Sequence, residues 1–89
     1  MNQYIVEFLG TLFLMFVIIT TGNWLAIGAA LAIAVLLGSA ISGGAFNPAV
    51  TIALAHAGKL PSNEIGPYIL AQVAGAICAV GLVKYGITH

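Results

Sequence analysis

The sequence predicts an all-α membrane protein with three transmembrane helices and one re-entrant half-helix. Hydrophobic residues fill 62% of the 89 positions and charged residues only 4%, a composition foreign to a water-soluble domain. Residues 4–21, 24–41 and 67–85 are each long and apolar enough to cross a hydrocarbon core of ~30 Å. Between the last two of these, a glycine-rich stretch runs into Asn47-Pro48, a helix start whose helix is too short to cross.

The first span, 4–21, is interrupted only by Glu7, Thr11 and Thr20. It lacks a basic start and leads straight into a second apolar span, so it does not read as a removed signal peptide. Thr21-Gly22-Asn23 is a very short turn, which makes the spans 4–21 and 24–41 antiparallel neighbours. At Ser42-Gly43-Gly44-Ala45-Phe46 the helical pattern fails, because glycine at this density favours extended backbone. Irregular backbone at membrane depth persists only where protein buries it or where it lines a wet cavity. The carbonyls of Gly43, Gly44, Ala45 and Phe46 are therefore candidate ligands for a polar solute.

Asn is among the best N-cap residues and Pro is favoured at the first helical position, so Asn47-Pro48 opens a helix whose body runs from Ala49 to about His56. Gly58 suits its left-handed termination. At ~1.5 Å per residue, roughly ten residues cover ~15 Å, half of the hydrocarbon thickness. The loop and half-helix together occupy about 42–57. Lys59 to Gly66 reads as an aqueous loop in which Ser62 or Asn63 helps to start the last helix. Ala71, Gly75 and Ala79 form a small-residue stripe suited to close helix packing, and Trp24 and Tyr85 fit interfacial anchors. The whole chain, 1–89, reads as a single membrane domain whose ends face opposite sides.

Composition also excludes functions. The charged side chains are Glu7, Lys59, Glu64 and Lys84, with net charge zero and no Arg, so no footprint for nucleic acid exists. There is no nucleophile with a base, no paired carboxylate and no metal-ligand cluster, which argues against an enzyme and against any cofactor or metal. Cys78 lies in an apolar helical pattern and is expected to be a buried, inert thiol.

Three segments together carry a family resemblance: Glu7-Phe8-Leu9-Gly10-Thr11, Ser42-Gly43-Gly44-Ala45-Phe46-Asn47-Pro48-Ala49-Val50-Thr51 and Tyr68-Ile69-Leu70-Ala71-Gln72-Val73-Ala74-Gly75-Ala76. In this order the chain resembles the N-terminal half of an aquaporin, a major intrinsic protein with one Asn-Pro-Ala motif. The resemblance implies a passive channel for water and small neutral solutes such as glycerol. Asn47, Pro48 and Ala49, with the backbone of Gly43 to Phe46, then line the path, and Glu7 and Gln72 hold the buried loop. Family members have two halves in inverted orientation around one pore. A second half-helix is thus expected here, and an inverted copy of this chain is the simplest source: an antiparallel homodimer of dual topology. Lys59 and Lys84 fall on opposite sides and leave the positive-inside rule little to act upon. By analogy with the family's tetramers, four such dimers form an octamer. The alternative is a non-conducting or regulatory membrane subunit that pairs with another aquaporin-like chain.

Departures from the family pattern concern selectivity. Members usually carry an arginine directly after the second Asn-Pro-Ala, where this sequence has Val50. Ile27 stands where an aromatic residue is frequent, and Ala45 replaces a frequent histidine. The expected constriction is therefore Ile27, Val50 and the Gly44 carbonyl, more apolar and less discriminating than is usual.

Overall fold

The structure, a computed structural model, describes residues 1–86. Polar caps start the first helices and glycines end them. The Asn2 side-chain oxygen accepts from the Ile5 amide at 2.9 Å and opens α1 (Gln3–Thr21), which stops where Gly22 turns left-handed at φ 55°. Asn23 then accepts from the amides of Leu25 and Ala26 and opens α2 (Trp24–Ser42), closed by Gly43 at φ 87°. Asn47 opens α3 (Pro48–His56), nine residues long. After a 3-10 turn at Ser62–Glu64 comes α4 (Ile65–Tyr85).

At ~1.5 Å per residue, α1 and α2 are ~28 Å long and α4 ~32 Å, whereas α3 covers only ~14 Å. Three helices therefore match a bilayer and one reaches halfway. All three long helices are apolar on nearly every face, and Trp24 and Tyr85 sit exposed at the helix ends. Three helices of membrane length and one of half that length are the arrangement that the family resemblance leads one to expect.

Helix α1 is central and packs against both α2 and α4. It is antiparallel to α2, as the two-residue turn at Gly22 and Asn23 demands. It is parallel to α4: Tyr4 meets Tyr68 edge to face with ring centroids 6.0 Å apart, and Glu7 meets Gln72. Gly75 lies so close to α1 that a Cβ there would collide with the carbonyl oxygen of Phe8. Helices α2 and α4 are therefore antiparallel, and the connection between them has to begin and end on the same membrane face. Residues 43–56 provide it by descending part of the way and coming back as α3, which packs on α4.

Two sequence expectations are corrected here. Neither Ser62 nor Asn63 caps α4. The Glu64 amide donates to the Pro61 carbonyl, no side chain caps α4, and Glu64 instead accepts from the Tyr4 hydroxyl at 2.8 Å. Cys78 is exposed rather than buried. The contact stripe of α4 is Tyr68, Gln72, Gly75 and Ala79, and Cys78 lies off it. In a helix apolar on all sides, apolar neighbours do not mark the packed face.

Candidate functional site

The centre of the molecule is polar. Glu7, one turn into α1, has no exposed surface, and its carboxylate accepts from four donors. Oε2 receives the Ser42 hydroxyl (2.7 Å) and the Ala45 amide (3.2 Å). Oε1 receives the Phe46 amide (2.8 Å) and the Gln72 side-chain amide (2.8 Å). A carboxylate offers about four lone-pair sites, so its capacity is filled. Burying it in an apolar bundle would otherwise cost several kcal/mol. The same bonds satisfy backbone amides that the irregular segment 43–46 could not pair within itself.

Three more contacts complete the clamp. The Gly44 amide donates to the Ser42 hydroxyl (3.2 Å), Tyr68 donates to the Ser42 carbonyl (2.8 Å), and Gln72 Nε2 donates to Thr51 Oγ1 (2.7 Å). Gln72 thus ties α1 to α3 from α4. Neither Tyr68 nor Thr51 was singled out by sequence reasoning. The signal for Thr51 was its position four residues after Asn47, where its hydroxyl donates to the Asn47 carbonyl at 2.9 Å.

Phe46 anchors the loop sideways. Its backbone is left-handed at φ 53°, a conformation that costs a non-glycine residue of order 1 kcal/mol and persists only when its surroundings hold it. The holding contacts are visible: its amide is bound by Glu7, and its ring is buried against Val6 and lies over Gly10 and Gly38. A Cβ on Gly10 would occupy the ring's place. Ala45 is likewise buried, whereas Gly43 is exposed and Gly44 half-buried. Among the described residues, no donor reaches the carbonyls of Gly43, Gly44, Ala45 or Phe46.

With the loop fixed, Asn47 is aimed. Its Oδ1 accepts from the amides of Ala49 (2.7 Å) and Val50 (3.3 Å). Its side-chain NH2 is left as a pair of donors on an exposed residue at the positive end of α3. Pro48 and Ala49 are exposed beside it. A cavity of about 330 Å³ opens here, lined by Asn47 and Pro48 together with Thr11 and Met15 of α1 and Gln72 and Val73 of α4. Thr11 lies near the midpoint of α1, so the tip of α3 stands at mid-depth. Val50, 41% exposed, follows one turn up α3. Ile27 is half-buried on the first turn of α2, toward the opposite membrane face. Within one chain, Ile27 and Val50 therefore lie on opposite sides of the Asn47 level. Among the described residues, no three His, Cys, Asp or Glu side chains gather as metal ligands.

Known proteins are similar to this chain in sequence. The chain is 42% identical to the glycerol uptake facilitator protein-like 6 of Lactiplantibacillus plantarum, over 94% of this chain and 43% of that protein. It is 37% identical to aquaporin Z of Rhodopseudomonas palustris, over 92% and 40% respectively. It is 38% identical to the glycerol uptake facilitator protein of Escherichia coli K12, over 99% and 36%. The chain thus spans less than half the length of each of these curated relatives. No solved structure matches it at a significant level. The profile of the Major intrinsic protein family matches residues 1–89. With its Glu7-held loop and its Asn47-capped half-helix, this chain belongs to the major intrinsic protein family.

Proposed function

We propose that this chain forms a passive membrane channel for water and small neutral solutes such as glycerol, its pore built by two copies in antiparallel orientation. One observation carries the reading: at mid-depth, the Asn47 amide has its oxygen tied to the first turn of α3 and its nitrogen free. A passing water accepts from that nitrogen and turns both of its hydrogens outward, which interrupts a proton wire. The positive end of α3 adds a potential that opposes cations. The unpaired carbonyls of Gly43, Gly44, Ala45 and Phe46 supply acceptors in place of lost hydration. That similar chains are named for glycerol uptake and as aquaporins supports the same solute class.

The second copy answers a gap in depth. Helix α3 fills ~14 Å of a ~30 Å core, and the lower half needs another half-helix. An inverted copy supplies it by turning the family's internal pseudo-symmetry into a true two-fold axis. Inversion also moves Val50 of one copy into the same half of the membrane as Ile27 of the other. Each mouth is then lined by Ile27, Val50 and the Gly44 carbonyl, without an arginine. Such a mouth is wide and apolar, and it passes small polyols as well as water. Four dimers, an octamer, extend this arrangement by analogy with the family.

Stopped-flow shrinkage of proteoliposomes tests the reading. Loaded vesicles should shrink several-fold faster than empty ones and re-swell as glycerol enters, and Val50→Arg should slow re-swelling by narrowing both mouths. Equal rates in loaded and empty vesicles would reject the channel in favour of a non-conducting subunit. In a Cys78→Ser background, a cysteine added at the C-terminus should label from both sides of the membrane. Labelling from one side alone would sink the inverted pair.

A further inference from the structure

Two buried polar atoms have no partner among the described residues: Thr11 Oγ1 and Gln72 Oε1. The Gln72 amide can be turned only one way. Gln72 must present nitrogen to the Glu7 carboxylate, which can only accept. It also faces a Thr51 hydroxyl whose hydrogen goes to the Asn47 carbonyl. Both hydrogens of Nε2 are therefore used, and Oε1 is left as a buried acceptor with nothing to accept. Thr11 stands one helical turn beyond Glu7 on α1, is 8% exposed, and carries a hydroxyl that can donate and accept. Both residues line the same cavity as Asn47. In a bundle surrounded by lipid no bulk solvent compensates such atoms, and a buried polar site of this kind is where a resident water belongs.

We propose that Thr11 Oγ1 and Gln72 Oε1 hold one fixed water molecule in the wall of the cavity beside Asn47. The water donates to Gln72 Oε1 and accepts from the Thr11 hydroxyl. One hydrogen and one lone pair remain for the cavity. It extends the network that begins at Ser42 and Glu7 through Gln72 to the middle of α1, so the clamp on the loop and the wall of the cavity become one hydrogen-bonded unit. Burial of the two unpartnered oxygens and the cavity that both residues line carry this site. It holds whether or not the chain conducts.

Water-edited solid-state NMR on the full chain in liposomes tests it. Magnetisation from water should reach the Gln72 side chain at a rate within about two-fold of that for exposed Asn47. It should outpace transfer to Ala79, which is fully buried and packed, by several-fold. Thr11→Val, close in shape but without the hydroxyl, should bring Gln72 down to the Ala79 rate and leave Asn47 unchanged. Thr11→Ser should restore it. Transfer to Gln72 in the unmodified chain as slow as to Ala79 overturns the proposal, and so does fast transfer that survives Thr11→Val. Should Thr11→Val fail to assemble, the comparison of Gln72 with Ala79 in the unmodified chain decides alone. Loss of conduction with fast transfer intact would count against the channel and leave the water site standing.

Discussion

Asn23 and Asn47 perform the same local task. Each caps a helix from extended backbone, and each accepts from the amides two and three residues ahead: Leu25 and Ala26 in one case, Ala49 and Val50 in the other. Asn23 does so in a turn at the end of two full spans, whereas Asn47 does so at mid-depth. The difference lies in what precedes them. Gly22 alone makes the first turn, while the approach to Asn47 takes an irregular segment whose buried amides are collected by Glu7 and whose Phe46 is wedged between α1 and α2. The cap chemistry is interchangeable, and the placement is not.

Breaking the placement should have the largest effect. Glu7→Leu leaves the Ala45 and Phe46 amides and one hydrogen of the Gln72 amide buried without an acceptor, and the Ser42 hydroxyl with only the Gly38 carbonyl at 3.4 Å. Each buried donor left unsatisfied in this way costs about 1–3 kcal/mol. The expected result is a chain that unfolds at markedly lower denaturant in a detergent titration, with the segment around Gly43 open to protease.

A charge at each cap sharpens the contrast. Asp caps as well as Asn, so Asn23→Asp should leave stability unchanged within about 0.5 kcal/mol. Asn47→Asp keeps the cap oxygen but places a carboxylate at mid-depth, at a cost of about 2–3 kcal/mol on insertion scales. It also removes the two free donors. The same unfolding titration should separate the two variants, and in proteoliposomes only Asn47→Asp should alter the water flux.

The smallest effect isolates capping itself. Asn23→Ala removes only the acceptor for Leu25 and Ala26 and should cost about 1 kcal/mol. Amide hydrogen exchange should speed up in the first turn of α2 and nowhere near Asn47. Any loosening of α3 in this variant would show that the two caps are coupled and would undo the comparison.

Much of this protein is written locally. Caps at Asn2, Asn23 and Asn47, proline at position 48 and glycines at 22, 43 and 58 act within a few residues, and apolar runs of bilayer length leave no choice but helix. Glu7 and Gln72 stand out in the sequence because polar side chains in such runs need partners. Which partners they take is another matter. Helices apolar all round carry no face signal, so Cys78 could not be seen to lie outside the contact stripe, nor Gly75 to lie against the backbone of α1. Ser62 and Asn63 look like caps and are passed over: they lie in a 3-10 turn in which the Glu64 amide bonds the Pro61 carbonyl, while the Glu64 side chain meets Tyr4 across sixty residues of sequence.

The sequence by itself determined the class, the four helices and the asparagine- and glycine-marked ends of the first three, because turn and cap chemistry is short-ranged and lipid forbids unpaired backbone. Only the tertiary structure decided the left-handed wedge of Phe46, the saturation of Glu7 and the orphaned oxygens of Thr11 and Gln72. Each of these depends on which atoms of distant segments meet, and hydrogen bonds and packing contacts act over a few ångströms in space with no regard for separation along the chain.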